Sequence, residues 1–211
     1  SRKRMSATSR IMAASMDSKL PADSRVFLSQ SAAESESEFL AAVLRSEQLH
    51  RPWVFPPHTH EEYESYLGRI RSGRTIAFLV RRSSDKSLAS VVNVSEPVMG
   101  AFQSAYLGFY AFAGHERQGL MTEGLALVID RAFGELGFHR LEANIQPANV
   151  ASAALVSRLG FRKEGFSPRY LMIDGAWRDH DRWAILCDEW PPHRERLFAS
   201  RQADAGQSQN G

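Results

Sequence analysis

The segment 107–136 limits the folds open to this chain more than any other. Residues 107–113 form a short apolar and aromatic run closed by Gly114, the pattern of a buried strand. His115-Glu116-Arg117-Gln118-Gly119-Leu120-Met121-Thr122 follow. Apolar side chains then recur at Leu125, Val128, Ile129, Ala132, Phe133 and Leu136, which is helical spacing. A strand that turns through glycine straight into a helix leaves the first helical N–H groups without intrahelical partners, and the positive end of the helix dipole gathers there. Such a turn can hold a phosphate or pyrophosphate. No Lys-Ser/Thr follows Gly119 and there is no Gly-x-Gly-x-x-Gly, so neither common nucleotide motif is present. On these residues alone, an ordinary strand-to-helix connection is an equally good reading.

The flanking chain supplies the rest of the element order. Residues 25–29 read as a strand. Ser31-Ala32-Ala33-Glu34 has the capping-box form ahead of a helix that carries Phe39, Leu40, Val43 and Leu44 inward. Pro52, Pro56 and Pro57 exclude helix from 50–57. A second capping box, Thr59-His60-Glu61-Glu62, opens a helix that runs through Ile70 and ends at Gly73. Residues 74–81 and 88–94 read as a hairpin around Ser83-Ser84-Asp85-Lys86. Beyond the central segment, alternation over 141–146 puts Glu142, Asn144 and Gln146 on one strand face. A helix then closes on Leu159-Gly160-Phe161, and two strands finish the pattern.

Composition adds bounds. With 211 residues, 43% hydrophobic and 24% charged, the chain reads as one ordinary globular domain over 25–193. Tails at 1–24 and 194–211 are expected to be disordered, because both are polar and lack periodicity. Residues 11–16 are too short an apolar run for a signal core or a membrane span, and no other window reaches spanning length; a cytoplasmic protein without a membrane partner is expected. A net charge of +2 is too small to argue for nucleic acid. The one cysteine, Cys187, excludes an intramolecular disulfide and reads as a core thiol after Trp183-Ala184-Ile185-Leu186. Cys and His spacing offers no metal site.

In the central region the chain resembles the GNAT N-acetyltransferase superfamily, and within it the branch of ribosomal-protein-alanine N-acetyltransferases, the Rim type. The superfamily pyrophosphate motif, Gln/Arg-x-x-Gly-x-Gly/Ala, falls on Glu116-Arg117-Gln118-Gly119-Leu120-Met121. The branch often continues Gly-x-x-Thr-Glu-Ala, matched by Gly119-Leu120-Met121-Thr122-Glu123-Gly124. Asn149-Val150-Ala151-Ser152 matches its Asn-x-x-Ser, Leu159-Gly160-Phe161 its helix end, and Gly175-Ala176-Trp177-Arg178-Asp179 its last hairpin. Two residues depart from the pattern: Glu116 replaces Gln or Arg, and Met121 a small residue. A carboxylate beside a pyrophosphate is unfavourable unless it points away or pairs with Arg117.

The resemblance implies an α/β (α+β) GNAT fold, a mixed, mostly antiparallel sheet with helices on both faces. It also implies acetyl-CoA as acetyl donor. Ala111 and Phe112 would meet its pantetheine mainly through backbone. Arg117, Gln118, Gly119, Leu120, Met121 and Thr122 would hold its pyrophosphate. Asn149 would cap its helix and touch the cofactor, and Ser152 would protonate the departing thiolate, against the alternative of a capping or exposed serine. Glu142 leads as general base, since a strand carboxylate must be paired, hydrated or functional; the alternative is an ion pair with Arg140 or Arg169. Tyr110 would hydrogen-bond the thioester or pack. Trp53 and Phe55 would form one wall of the acceptor cleft, Tyr170 and Trp177 the other, against ordinary packing.

Three readings of function follow. The first is transfer of acetyl to the N-terminal α-amine of a protein, by resemblance a ribosomal protein beginning with alanine. The second is acetylation of a small amine such as an antibiotic, amino acid or polyamine. The third is a sensor that binds acetyl-CoA without turnover, to which Glu116 leans. Monomer and homodimer are both open.

Overall fold

The computed structural model describes residues 24–207. Its core is a seven-stranded sheet: β1 (Val26–Gln30), β2 (Thr75–Arg82), β3 (Leu88–Val98), β4 (Ser104–Ala111), β5 (Arg140–Ile145), β6 (Arg162–Ile173) and β7 (Ala176–Leu186). The spatial order is β1-β2-β3-β4-β5-β7-β6, antiparallel except between β4 and β5. Helices α1 (Glu36–Arg45), α2 (Glu47–His50) and α3 (His60–Arg71) link β1 to β2. Helix α4 (Leu120–Gly134) links β4 to β5, α5 (Val150–Arg158) links β5 to β6, and α6 (Trp190–Gln207) closes the described chain. Among the described residues no helix is long and apolar enough to cross a membrane.

Strand alternation sorts the apolar residues onto two faces. On β2, Ile76, Phe78 and Val80 join α4 in one core, with Leu125, Ala126, Val128 and Ile129. Ala77 and Leu79 face the other way, against Phe39 and Val43 of α1 and Tyr63, Tyr66 and Leu67 of α3. Helix α4 lies close to the sheet: a Cβ on Gly124 would sit 2.7 Å from both methyl carbons of Val80. Glu123 beside it is buried and ion-paired with Arg25 at 2.5 Å, which fixes the start of β1 to this helix.

Four details differ from expectation. The helix after Ser31 begins as a 3-10 turn at Ala33–Ser35, and no side chain caps either it or α1, so the capping box at 31–34 does not form; the second box does, through Thr59 Oγ1 accepting from Glu62 N–H. Leu44 is 75% exposed rather than inward, because the buried stripe of α1 is set by Phe39, Ala42 and Val43. An unexpected short helix, α2, follows α1. Residues 194–207 are helical rather than a disordered tail: Trp190 Nε1–H donates to Asp130 Oδ1 at 2.7 Å, Arg194 Nε–H to Asp130 Oδ2 at 2.7 Å, and Leu197 and Phe198 pack on the main core. Pro191 and Pro192 fit the first turn, where a missing N–H is harmless. Residues 1–23 and 208–211, the remainder of the two expected tails, lie outside the described residues.

Candidate active site

β4 and β5 pair only at Ser104–Tyr106 with Arg140–Glu142, and then part. Each keeps its other neighbour: β4 stays on β3 as far as Ala111, and β5 on β7 as far as Ile145. The Phe112 N–H donates to Ala89 O at 2.9 Å, which anchors the ladder phase. Antiparallel alternation then turns the backbone groups of Leu107, Phe109 and Ala111 toward the gap. Into this V opens a cleft of about 590 Å³ that reaches the surface at Glu116 and Arg158.

At one end of the cleft stands the turn into α4. Gly119 is the N-cap, with φ +76°, a left-handed conformation that glycine adopts without strain, and no side chain caps the helix. The turn is braced by its own side chains. Gln118 donates from Nε2 to Gly114 O at 2.9 Å and accepts from Arg82, while the Glu116 carboxylate accepts from Gly114 N–H at 2.8 Å. That bond answers the charge problem posed by Glu116: its carboxylate helps shape the turn. Gly119, Met121, Thr122 and Arg117 line the cleft. Gln118 and Leu120 do not, Leu120 being buried in the core.

The middle of the cleft is formed by β4, β5 and the start of α5. Asn149 caps α5, its Oδ1 accepting from Ser152 N–H at 3.1 Å. The cap role therefore falls to Asn149, and Ser152 lines the cleft. Three buried polar atoms in the lining residues have no hydrogen-bond partner, Asn144 Oδ1, His50 Nδ1 and His115 Nδ1. Burial pushes the His115 imidazole down. Tyr110 lines the cleft, but it is packed edge-on against His50 at 5.2 Å and Phe112 at 5.8 Å, and burial holds its hydroxyl well above the ordinary range.

Several expected site residues are not brought there. Glu142 is ion-paired to Arg140 at 2.9 Å and does not line the cleft. Arg140 also binds Glu164 at 2.5 Å and holds its carboxyl below the usual range, and Arg162 extends the network to Glu189. The ion-pair alternative is thus the arrangement observed for Glu142. Phe112 is a core residue whose N–H is already used, and the Ala111 carbonyl accepts from His50 Nε2–H at 2.7 Å. The aromatic wall is divided: Trp53 lines the cleft, whereas Phe55 lines a separate cavity of about 350 Å³ under the Arg51 guanidinium. Tyr170 is tied to Tyr106, whose hydroxyl this hydrogen bond pushes up to about 12. Trp177 sits near the tip of the β6–β7 hairpin, 59% exposed, away from the cleft.

Three charged or titratable cleft residues escaped the reading of the sequence. His50 is the last residue of α2, just ahead of the proline-rich stretch. Arg158 lies in the last turn of α5. His180 stands one residue beyond the Gly175–Asp179 motif, and that adjacency was the one available signal.

The sheet thus splays between its two parallel strands, with the N-terminus of α4 at the mouth of the cleft. The acetyltransferase (GNAT) domain model matches residues 25–162, and the chain belongs to that family and is an N-acetyltransferase. Its relatives include the [ribosomal protein uS5]-alanine N-acetyltransferase of Escherichia coli, 36% identical over 136 residues covering 63% of this chain and 70% of the relative. The probable N-acetyltransferase YjcK of Bacillus subtilis is also 36% identical, over 121 residues covering 57% and 67%. Among solved structures, Mycobacterium smegmatis RimJ in complex with CoA-disulfide matches with a TM-score of 0.75 at 29% identity, covering 83% of this chain and 88% of that one. Spermidine N-acetyltransferase from Vibrio cholerae, at 19% identity and a TM-score of 0.69 over 80% and 99%, shares the fold.

Proposed function

We propose that the protein transfers acetyl from acetyl-CoA directly to the N-terminal α-amine of a protein, a cytoplasmic ribosomal protein in the first instance. The observation that carries the donor half is the splay of β4 from β5, ending at the Gly119 turn. It leaves backbone groups at Leu107 and Phe109 facing an elongated space. Those groups suit a ligand with amides along its length, and the α4 N-terminus suits an anionic end. Such a donor supplies an already activated thioester. The chain's own part is then to orient the amine, take up its proton and give one to the departing sulfur. Ser152 is the residue assigned to the last of these.

The acceptor half rests on charge. The one carboxylate lining the cleft is Glu116, already engaged by Gly114 N–H, while Arg117, Arg158 and three histidines line it as well. A polyamine would meet little to neutralise it, whereas a neutral peptide backbone ending in one amine would fit. The kinship with an enzyme named for ribosomal alanine supports the same choice.

The test is mass spectrometry of peptides differing in their first residue, mixed with polyamines, amino acids and aminoglycosides and incubated with the protein and acetyl-CoA. Acetylation at a peptide α-amine is expected, strongest for alanine. Product on a small amine alone would overturn the acceptor assignment, and acetyl-CoA binding without product would leave a sensor.

A further inference from the structure

Transfer to an α-amine needs a base, because an amine with a pKa of about 8 is mostly protonated at neutral pH. Glu142, held by Arg140, is not at the cleft. The three histidines that line it differ in what each has left to offer. His50 Nε2–H donates to Ala111 O, and its remaining nitrogen, Nδ1, is buried without a partner. His115 Nδ1 is likewise buried without a partner, and its ring belongs to the loop ahead of α4 rather than to a strand of the cleft. His180 is 3% exposed, and its Nδ1 lies 2.9 Å from Arg178 O. A carbonyl can only accept, so Nδ1 carries the proton and the neutral ring keeps its lone pair on Nε2. With Nδ1 engaged, Nε2 is the nitrogen left to meet the cleft that the residue lines.

The ring is firmly placed. His180 lies on β7 opposite Ser167 of β6, where the ladder shifts register between Ser167 and Leu171. Asp179 Oδ1 holds that bulge by accepting from Arg169 N–H at 2.7 Å, and the Tyr170 ring rests 6.3 Å from the His180 ring. The charged or titratable neighbours of His180 in the hairpin are Tyr170 from β6 and Arg178, Asp179, Asp181 and Arg182 on its own strand, while His50, Tyr110, His115, Glu116, Arg117 and Arg158 line the same cleft.

Resting on the acetyl-transfer reading above, we propose that His180 is the catalytic base that takes the proton from the acceptor ammonium through Nε2. The freed amine attacks the thioester carbonyl, forming the N–C bond as the C–S bond breaks. Two protons leave the nitrogen in all: one passes through His180 to solvent, and the other balances the proton that Ser152 gives the thiolate.

The experiment follows kcat/KM against pH for an alanine-first peptide and acetyl-CoA, in the wild type and in His180→Gln, with CoA binding and thermal melting as controls. With a pKa of about 8 only roughly a tenth of the acceptor amine is neutral at pH 7, so about a 10-fold loss is expected there with CoA binding kept. The deficit should shrink above pH 8.5, roughly half a unit past the amine pKa, where the acceptor is already neutral. A purely structural role would give a loss independent of pH. If His180→Gln keeps wild-type activity and its acid limb, or loses activity equally at every pH, the proposal is overturned. Should the variant not fold, NMR titration of His180 in the wild type decides: its ionisation must coincide with the acid limb, and a ring that holds one charge state across that limb overturns it. Failure of the wild type to acetylate any peptide would instead sink the underlying reading.

Discussion

Ser152 and Asn149 show how one short motif divides its labour. The Asn149 side chain holds the end of α5 by accepting the Ser152 N–H, so the serine hydroxyl is not needed for the cap. Ser152→Ala should therefore leave the melting temperature and CoA affinity unchanged while kcat falls roughly 100-fold, the lower part of the range for general-acid catalysis, because a thiolate departs readily. Stopped-assay kinetics beside calorimetric CoA binding separates the two. Trp53 and Phe55, two residues apart, part company in the same way. Trp53→Ala should raise the peptide KM by roughly 10-fold, the equivalent of about 1.4 kcal/mol of lost aromatic contact. Phe55→Ala, acting on the separate cavity, should leave it unchanged. Equal effects of the two substitutions would show that the whole loop acts as packing. This division was not legible in the sequence, since alternation across a proline-rich loop has no fixed period from which a facing side can be read.

At the scale of elements, the periodic segments were legible and the exceptions have physical causes. The strands, α3 and α4 announce themselves through apolar spacing, and Asp174-Gly175 gives the β6–β7 turn, both residues adopting positive φ. Leu44 misled because the buried stripe of α1 is set by Phe39, Ala42 and Val43, and α6 because its anchors, Trp190 and Arg194, bind an aspartate 60 residues or more away. For Glu142 the alternative already visible in the sequence, an ion pair with Arg140 two residues away, is the arrangement found. Gly124 is another position whose reason is visible only in three dimensions. Ala has better helix propensity by about 1 kcal/mol, yet its Cβ would press on Val80 at 2.7 Å. Overpacking typically costs about 1–3 kcal/mol, so Gly124→Ala should lower stability by roughly 1 kcal/mol in denaturant unfolding. Adding Val80→Ala removes the offending methyls, so the penalty of Gly124→Ala measured in that background should vanish or reverse.

For the molecule as a whole, the buried imidazoles give stability a dependence on pH. Burial lowers the pKa of both His50 and His115, against the weaker opposing pull of the Ala111 carbonyl at His50. The unfolded chain therefore takes up protons near pH 6.5 while the folded chain still holds these rings neutral, and stability falls as pH drops through that window. His60, raised by Glu36, has the opposite sign but is fully exposed, so salt screens it. Chemical denaturation with urea in 0.5 M salt should show a midpoint that falls between pH 7.5 and 5.5, well above the range where Glu164 begins to protonate. His50→Gln should flatten the fall; a slope unchanged in that variant would mean that His50 titrates normally in the fold.

The parting of β4 and β5 has one more consequence. A sheet interrupted at its centre is an unfinished cross-link between two halves of the molecule, joined at that seam by three residue pairs alone. An extended ligand lying in the seam would act as a guest strand, completing the hydrogen-bonded span from β1 to β6. Binding then becomes the last step of folding, and the two halves should exchange their amide hydrogens as separate neighbourhoods when empty and as one when filled.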